Sequence, residues 1–414
     1  MSTIKLPALA WYKMKELELT VPDGWQVETL DMAGYNRPAL TPEQVKAAIG
    51  NAIGTPPLKE LARDKKEVVI IFDDMTRGTR TYDMVPHVLA ELAAAGIPDS
   101  GIRFICALGC HAAYTREHFA KKLGEEVMAR FPVYNHNAFG NCTYAGKTRT
   151  YGTEVNVNEE VMKCDLKIAI GSVVPHPMNG FGGGGKIILP GVTSFETTRD
   201  NHISFYQMMA QQRDKRTAGM GLFDENLMRM DIEEAATLSG LDFMVNCLMN
   251  SRGETVAVFA GALIPSYAAA VEAAKPHYLT PRAQDMDVAI ANTFTKANEG
   301  FIGAAIAYRA VAPGGDVVLI ANAPDGQVTH YLLGPFGNSS FAPLRQGGRV
   351  PSHVGRLIVF TEYPDLSSKS WFGESDKVHF VYKWDEVLEM LEKDHGTGTR
   401  VAVYPSAEIQ YTNG

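Results

Sequence analysis

The run Val68-Val69-Ile70-Ile71-Phe72 has Glu67 before it, Asp73 after it and no polar residue inside it. A strand with one wet face alternates; an unbroken apolar run of this length is a strand dry on both faces. Such strands occur where helices cover both sides of a parallel sheet. Runs of the same kind recur at 102–108, 166–171, 286–291, 316–321, 356–361 and 400–404. Helical patterns lie between them. Thr41-Pro42-Glu43-Gln44 has the form of a capping box with proline at the first helical position, and Val45, Ile49 and Ile53 repeat behind it. Val85, Val88, Leu89 and Leu92 form a second apolar face before Gly96, and Val387, Leu388 and Leu391 a third. Alternating strands and helices predict an α/β protein with mostly parallel sheets flanked by helices.

At 414 residues the chain is too long for one ordinary core. Lys275-Pro276-His277 and Thr280-Pro281-Arg282 interrupt helical sequence, and a fresh strand–helix series begins at Met286. Two domains are expected, 1–278 and 279–414, with the active site in the cleft between them. A hydrophobic share of 45% and a charged share of 21% are those of a globular chain. The net charge of -8 provides no footprint for nucleic acid. No apolar run is long enough for a membrane helix, and the start has no signal-peptide core. The cysteines 106, 110, 142, 164 and 247 contain no C-x-x-C spacing, as expected in a reducing cytoplasm. Cys110 adjoins His111; a small buried residue is the plainer reading than a nucleophile.

Ligands of open α/β sheets gather outside the carboxyl ends of strands. Asp73, Asp74 and Arg77 follow the first apolar run, His111 follows the second, and a dense loop at 175–186 follows the third. In that loop His176 sits between Pro175 and Pro177, so a helix cannot continue through it. Gly182-Gly183-Gly184-Gly185-Lys186 follows. Such a run suits a backbone that must approach something closely, a phosphate or a bulky cofactor, although a glycine run alone is also the mark of a flexible turn. Residues 180–186 have the outline of a phosphate loop. Ile187, however, stands where Ser or Thr would hold magnesium, and Pro190-Gly191 opposes a following helix, which argues against nucleotide hydrolysis. Asp200-Asn201-His202 comes next. Taken singly, each residue has a bland explanation: an Asp–Arg pair tying a turn, or a solvated or structural histidine. Together they suggest one site in which two histidines trade protons near neutral pH.

The segments Asp74-Met75-Thr76-Arg77, Gly109-Cys110-His111, His176 with Gly183-Gly184-Gly185-Lys186-Ile187-Ile188-Leu189-Pro190-Gly191, and Asn201-His202 resemble the nickel-dependent lactate racemase family. They cover roughly residues 70–205, in the family's order. The resemblance implies a racemase or C2-epimerase of a 2-hydroxy acid. It implies a nickel-pincer nucleotide as cofactor, loaded by cofactor-biosynthesis proteins, with Lys186 as covalent anchor and His202 as the protein's nickel ligand. Neutral imidazole suits nickel. It further implies His111 and His176 as acid and base on opposite faces of the substrate, and Arg77 as the fork that holds its carboxylate. Asp74, Thr76, Gly183, Gly184 and Gly185 then surround the cofactor. In the family picture one histidine takes the hydroxyl proton while hydride moves to the cofactor, and hydride return to the other face inverts the centre.

The resemblance thins in the second domain. There the lactate enzymes close a Tyr and a Lys over the site, whereas registering on Gly314-Gly315 puts Asn298 and Ile302 at those positions. Lys296 and Asn298 remain as substrate-binding candidates; polar Asn298 and Glu299 suit a substrate with more hydroxyls than lactate, such as a sugar acid, and equally suit an ordinary loop or helix start. Two other classes of function compete. One is a zinc-type hydrolase built on His111, His176, His202 and Asp74; it gives Lys186 and the glycines no task. The other is a non-catalytic nucleotide-binding homologue, which would have no need of both histidine pairs.

Overall fold

The computed structural model describes residues 2–211, 217–337 and 348–413. The chain divides into two compact units, Arg37–Lys275 and Met1–Asn36 with Pro276–Gly414. In the Arg37–Lys275 unit a six-stranded sheet runs in the order Thr255–Gly261, Phe243–Met249, Leu166–Ser172, Val68–Asp73, Ile102–Ala107, Val133–Asn135. Every neighbouring pair is parallel except Phe243–Met249 with the edge strand Thr255–Gly261. The dry-on-both-faces reading holds residue by residue. Val68, Ile70 and Phe72 enter one core with Val45, Ile49, Val88 and Leu92. Val69 and Ile71 enter another with Val161, Ile187, Ile232 and Ala235.

The helices packed on this sheet keep their sequence patterns. Thr41 Oγ1 accepts the amide of Gln44 at 3.3 Å, and Gln44 Oε1 accepts the amide of Thr41 at 2.8 Å, closing the capping box on Pro42–Gly50. Val45 and Ile49 are buried. Ile53 has left the helix and bridges Gly261 instead. Val85–Ala94 buries the four apolar residues of its periodic face.

The connections of the sheet place the site. Val68–Asp73 leads out to Ile102–Ala107 on one side, whereas its other neighbour, Leu166–Ser172, leads out to Phe243–Met249 on the opposite side. The outgoing chains part between these two adjacent strands, and the crevice at such a switch point is where open α/β sheets bind ligands.

The second unit holds a six-stranded, wholly parallel sheet: Val378–Val381, Leu357–Phe360, Val311–Ile320, Met286–Asn292, Arg400–Tyr404, Gln26–Thr29. The antiparallel pair Ser2–Ala8 and Lys15–Val21 supplies Ile4, Leu6, Leu17 and Leu19 to the core formed with Val288, Ile290, Val318 and Ile320. Residues 1–36 therefore cluster with the C-terminal portion, where a single cut at 278/279 had been expected. Their strands alternate exposed and buried positions, so they carry no unbroken apolar run. Pro276 does not interrupt its helix, which continues from Leu263 to Tyr278. In the last turn, the ring and the missing N–H disturb little beyond it. Among the described residues no helix is long and apolar enough to cross a membrane.

Candidate active site

Three neighbouring parallel strands, Leu166–Ser172, Val68–Asp73 and Ile102–Ala107, end on the same edge of the sheet. The segments that follow them carry the residues singled out from the sequence. Asp74 is buried at 3% exposure. Its Oδ1 accepts the Thr76 amide at 2.8 Å and the Thr76 hydroxyl at 2.6 Å. Its Oδ2 lies 2.5 Å from His111 Nδ1. Burial pushes the Asp74 carboxyl up, but His111, Arg77 and Thr76 outweigh it and bring the group down to about 2. An ionised carboxylate accepts only, so His111 Nδ1 carries a proton, which leaves the lone pair of the neutral form on Nε2. Arg77 is tied into the same loop through Thr76, donating to its carbonyl at 2.9 Å and its hydroxyl at 2.7 Å.

The loop owes its shape to a residue the sequence did not single out. Lys122, 1% exposed on the helix Arg116–Leu123, donates to Asp73 Oδ1 at 2.7 Å, to the Arg77 carbonyl at 2.8 Å and to the Thr79 carbonyl at 3.2 Å. The Thr79 hydroxyl bonds the other Asp73 oxygen. Next to Lys121 and near charged neighbours, Lys122 looks like surface in sequence; only the fold reveals its buried partners.

His176 stands on a two-residue ladder in which Pro175 and His176 face Phe181 and Gly180. Its Nδ1 accepts the Met178 amide at 3.2 Å, which puts the ring proton of the neutral form on Nε2. The two histidines are thus held as opposite tautomers of the neutral ring, with the lone pair at Nε2 in His111 and the N–H at Nε2 in His176.

The glycine run is closely packed by the protein around it. A Cβ on Gly183 would lie 2.8 Å from the Ser172 carbonyl, one on Gly184 2.6 Å from the Tyr267 ring, and one on Gly185 3.0 Å from the Ile232 carbonyl. Gly183 and Gly184 also have positive φ, 75° and 56°. Buried Arg229 donates to the carbonyls of Phe181 and Gly183 and stacks on Tyr267, and Asn246 Oδ1 accepts the Gly184 amide at 3.2 Å. The run is a packed turn that presents half-buried Lys186. Arg229, Tyr267 and Asn246 come from distant segments, with no local signal of this task.

Lys186 lies near His202, a buried residue of the helix Phe195–Gln211. Burial first, and the Lys186 charge second, lower the His202 imidazole to about 4. Its Nδ1 donates to the Thr198 carbonyl at 2.8 Å, so the neutral ring offers Nε2 as a metal donor. Among the described residues no three His, Cys, Asp or Glu converge to hold a metal ion, so the zinc-hydrolase alternative has no such cluster behind it. Cys110 is 2% exposed and burial pushes its thiol up to about 12, the inert reading.

Lys296 and Asn298 belong to the other unit. Lys296, 1% exposed, pairs with Glu299 at 3.0 Å. Its loop is held by buried Glu408, whose Oε1 accepts the amides of Phe294, Thr295 and Lys296. The Asn298 carbonyl accepts the Val328 amide at 2.7 Å. Ile302 is buried.

A doubly wound α/β unit with histidines, an arginine and a lysine around its strand ends defines the class: an open-sheet α/β protein with a polar ligand crevice at its switch point. The model of the lactate racemase N-terminal domain matches residues 12–214. The lactate racemase of Lactiplantibacillus plantarum is 28% identical over 306 residues, 71% of this chain and 69% of that one. That of Thermoanaerobacterium thermosaccharolyticum is 30% identical over 265 residues, 63% of this chain and 59% of that one. The solved lactate racemase apoprotein from the latter organism has the same fold, with a TM-score of 0.73 at 22% identity over 100% of both chains. A Thermotoga maritima protein follows at 0.66 and 17% identity, over 91% of this chain and 99% of that one. The chain is thus similar to the lactate racemases in sequence and shares the fold of one of them, and it is an enzyme of the isomerase class.

Proposed function

We propose that this isomerase is a racemase or C2-epimerase of a 2-hydroxy acid that works with a nickel-pincer nucleotide. The observation that carries the reading is the complementary hydrogen bonding of the two histidines: His111 Nδ1 donates to ionised Asp74, and His176 Nδ1 accepts the Met178 amide. Lys186 and His202 fit the cofactor by donor chemistry: an amine for attachment and a buried neutral imidazole whose Nδ1–H is already committed to Thr198. When bound, the group supplies the hydride acceptor for the hydrogen on the α-carbon. The packed glycine turn fixes the position of Lys186, and Thr76 braces the loop beside it.

The residues of the chain do the rest. Arg77, braced by Thr76, takes the substrate carboxylate in a two-point fork and so fixes the plane of the α-carbon. His111 Nε2 takes the hydroxyl proton, and the Asp74 carboxylate, 2.5 Å away, stabilises the imidazolium that results. His176 Nε2–H faces the substrate oxygen from the opposite side and returns a proton to it when the centre is inverted. The roles exchange in the reverse direction. The free cysteines 106, 110, 142, 164 and 247 are consistent with work in the cytoplasm. Loading depends on cofactor-biosynthesis proteins.

The test is protein coexpressed with the cofactor pathway. Intact mass should rise at Lys186 and nickel should copurify, whereas Lys186→Ala should show neither. Inversion of lactate, malate, 2-hydroxyglutarate and aldonic acids is followed by chiral chromatography. His111→Ala and His176→Ala should each lose roughly a hundredfold or more in rate while keeping the mass gain. Substrate deuterated at C2 should retain label through inversion. Full turnover in both histidine variants, or complete washout of the label in the first turnover, would refute the mechanism.

A further inference from the structure

The hairpin that carries His176 holds a second polar side chain. Asn179 is 0% exposed, and neither its Nδ2 nor its Oδ1 has a hydrogen-bond partner. Native structures rarely keep a buried amide in that state without a reason. The hairpin has no slack with which to relieve it. Pro175 and His176 pair with Phe181 and Gly180. Gly180 is pressed so closely on Leu222 that a Cβ would lie 2.5 Å from its carbonyl. The Phe181 carbonyl is held by Arg229 and by the Tyr267 hydroxyl, and the Met178 carbonyl accepts from Asn226 at 3.0 Å. The backbone on both sides of Asn179 is pinned while its amide is left over. Its Cα is one step, about 3.8 Å, from Gly180, which lies directly across from His176.

Resting on the racemase reading above, we propose that Asn179 is a substrate-binding residue whose amide recognises a hydroxyl beyond C2, which makes 2-hydroxy acids with a further hydroxyl the preferred class over lactate. The chemistry of the amide selects the group. A carboxylate only accepts and would answer Nδ2 alone; an ammonium only donates and would answer Oδ1 alone; a hydroxyl does both. A site built to bond a hydroxyl discriminates strongly against the analogue that lacks it, because the buried polar group is then unpaired.

Glycerate and lactate differ by one hydroxyl at C3 and make the test. Cofactor-loaded protein should invert glycerate with kcat/KM at least about tenfold above that for lactate. Asn179→Ala should lose most of that preference, its kcat/KM falling far more for glycerate than for lactate. A preference unchanged by Asn179→Ala overturns the proposal, and so does parity between the two substrates in the unaltered protein. Asn179→Asp keeps the shape but only accepts; it should lose the preference too, and serves if the alanine variant fails to fold. A second readout needs no turnover. The side-chain amide resonances of Asn179, identified by their loss in Asn179→Asp, should shift when glycerate is added and stay put with lactate. Resonances unmoved by glycerate would mean that the amide holds buried water only, and would overturn the proposal. Loaded protein that inverts no 2-hydroxy acid, yet shows the glycerate shift, would sink the racemase reading and leave Asn179 as a hydroxy-acid contact.

Discussion

Replacing Lys122 by Met is expected to damage the fold and the site together. The methionine keeps most of the stem's volume and removes the ammonium that donates to Asp73, Arg77 and Thr79 at 2.7, 2.8 and 3.2 Å. The change strands the Asp73 carboxylate, 8% exposed, with the Thr79 hydroxyl. Breaking a buried pair from one side costs about 3–5 kcal/mol, because the remaining charge is uncompensated. Adding Asp73→Asn removes that charge, so the double variant should be more stable than Lys122→Met alone, with a coupling of about 2 kcal/mol. Urea unfolding followed by far-UV circular dichroism is the assay. Trp11, Trp25, Trp371 and Trp384 all lie in the other unit, so their fluorescence is a poor probe of this one. In loaded enzyme the unanchored Arg77 should raise KM for the hydroxy acid more than it lowers kcat. A loss below about 1 kcal/mol in Lys122→Met, or a double variant no better than the single, would refute the account of this loop.

The Asp74 carboxyl is held at about 2, below its ordinary 3.8, so its contribution of about 2.5 kcal/mol is present above pH about 3.8 and is lost as pH falls through about 2. The stability gap between the unaltered protein and Asp74→Asn should close by that amount over this window; a gap that does not change with pH would contradict it. Burial holds His136 at about 4 against an ordinary 6.5, the Thr193 carbonyl opposing only in part. The unfolded chain takes up that proton first, so stability is full above pH about 6.5 and falls by about 3 kcal/mol on the way to 4. His136→Gln should flatten the slope measured by pH-dependent melts. Gly184→Ala should lower the melting temperature far more than Gly96→Ala. Both glycines have positive φ, but only the Gly184 Cβ meets an aromatic ring, at 2.6 Å, whereas nothing lies within 4 Å of the other. Equal losses would show that strain alone is at work.

The central strands of both sheets were legible because burial on both faces leaves an unbroken apolar run, as in Val68–Asp73 and Met286–Asn292. The strands Phe243–Met249 and Thr255–Gly261 were passed over although most of their residues are buried; Asn246 and Cys247 break the first. Gln26–Thr29 was not legible at all, since its one partner is Arg400–Tyr404 and no local pattern encodes so distant a pairing. At the site, Asp74, His111 and His176 stood out as residue types after strands, and Lys186 and His202 as the polar residues that follow the glycine run. The glycines stood out as a loop built for close approach; that Tyr267, Ser172 and Ile232 occupy the space side chains would need was not legible. Lys122, Arg229 and Asn179 act through tertiary contacts and burial alone, which sequence spacing does not report.

The pairing of Gln26–Thr29 with Arg400–Tyr404 has a consequence for biosynthesis. A ribosome adds about 5–20 residues per second, so the N-terminal strand waits roughly 20–75 s before its neighbour has been made. The whole of Arg37–Lys275 is translated in that interval and is free to fold as a self-contained insert. Residues 1–36 meanwhile wait for their place in the sheet, which only the strand Arg400–Tyr404 provides for Gln26–Thr29.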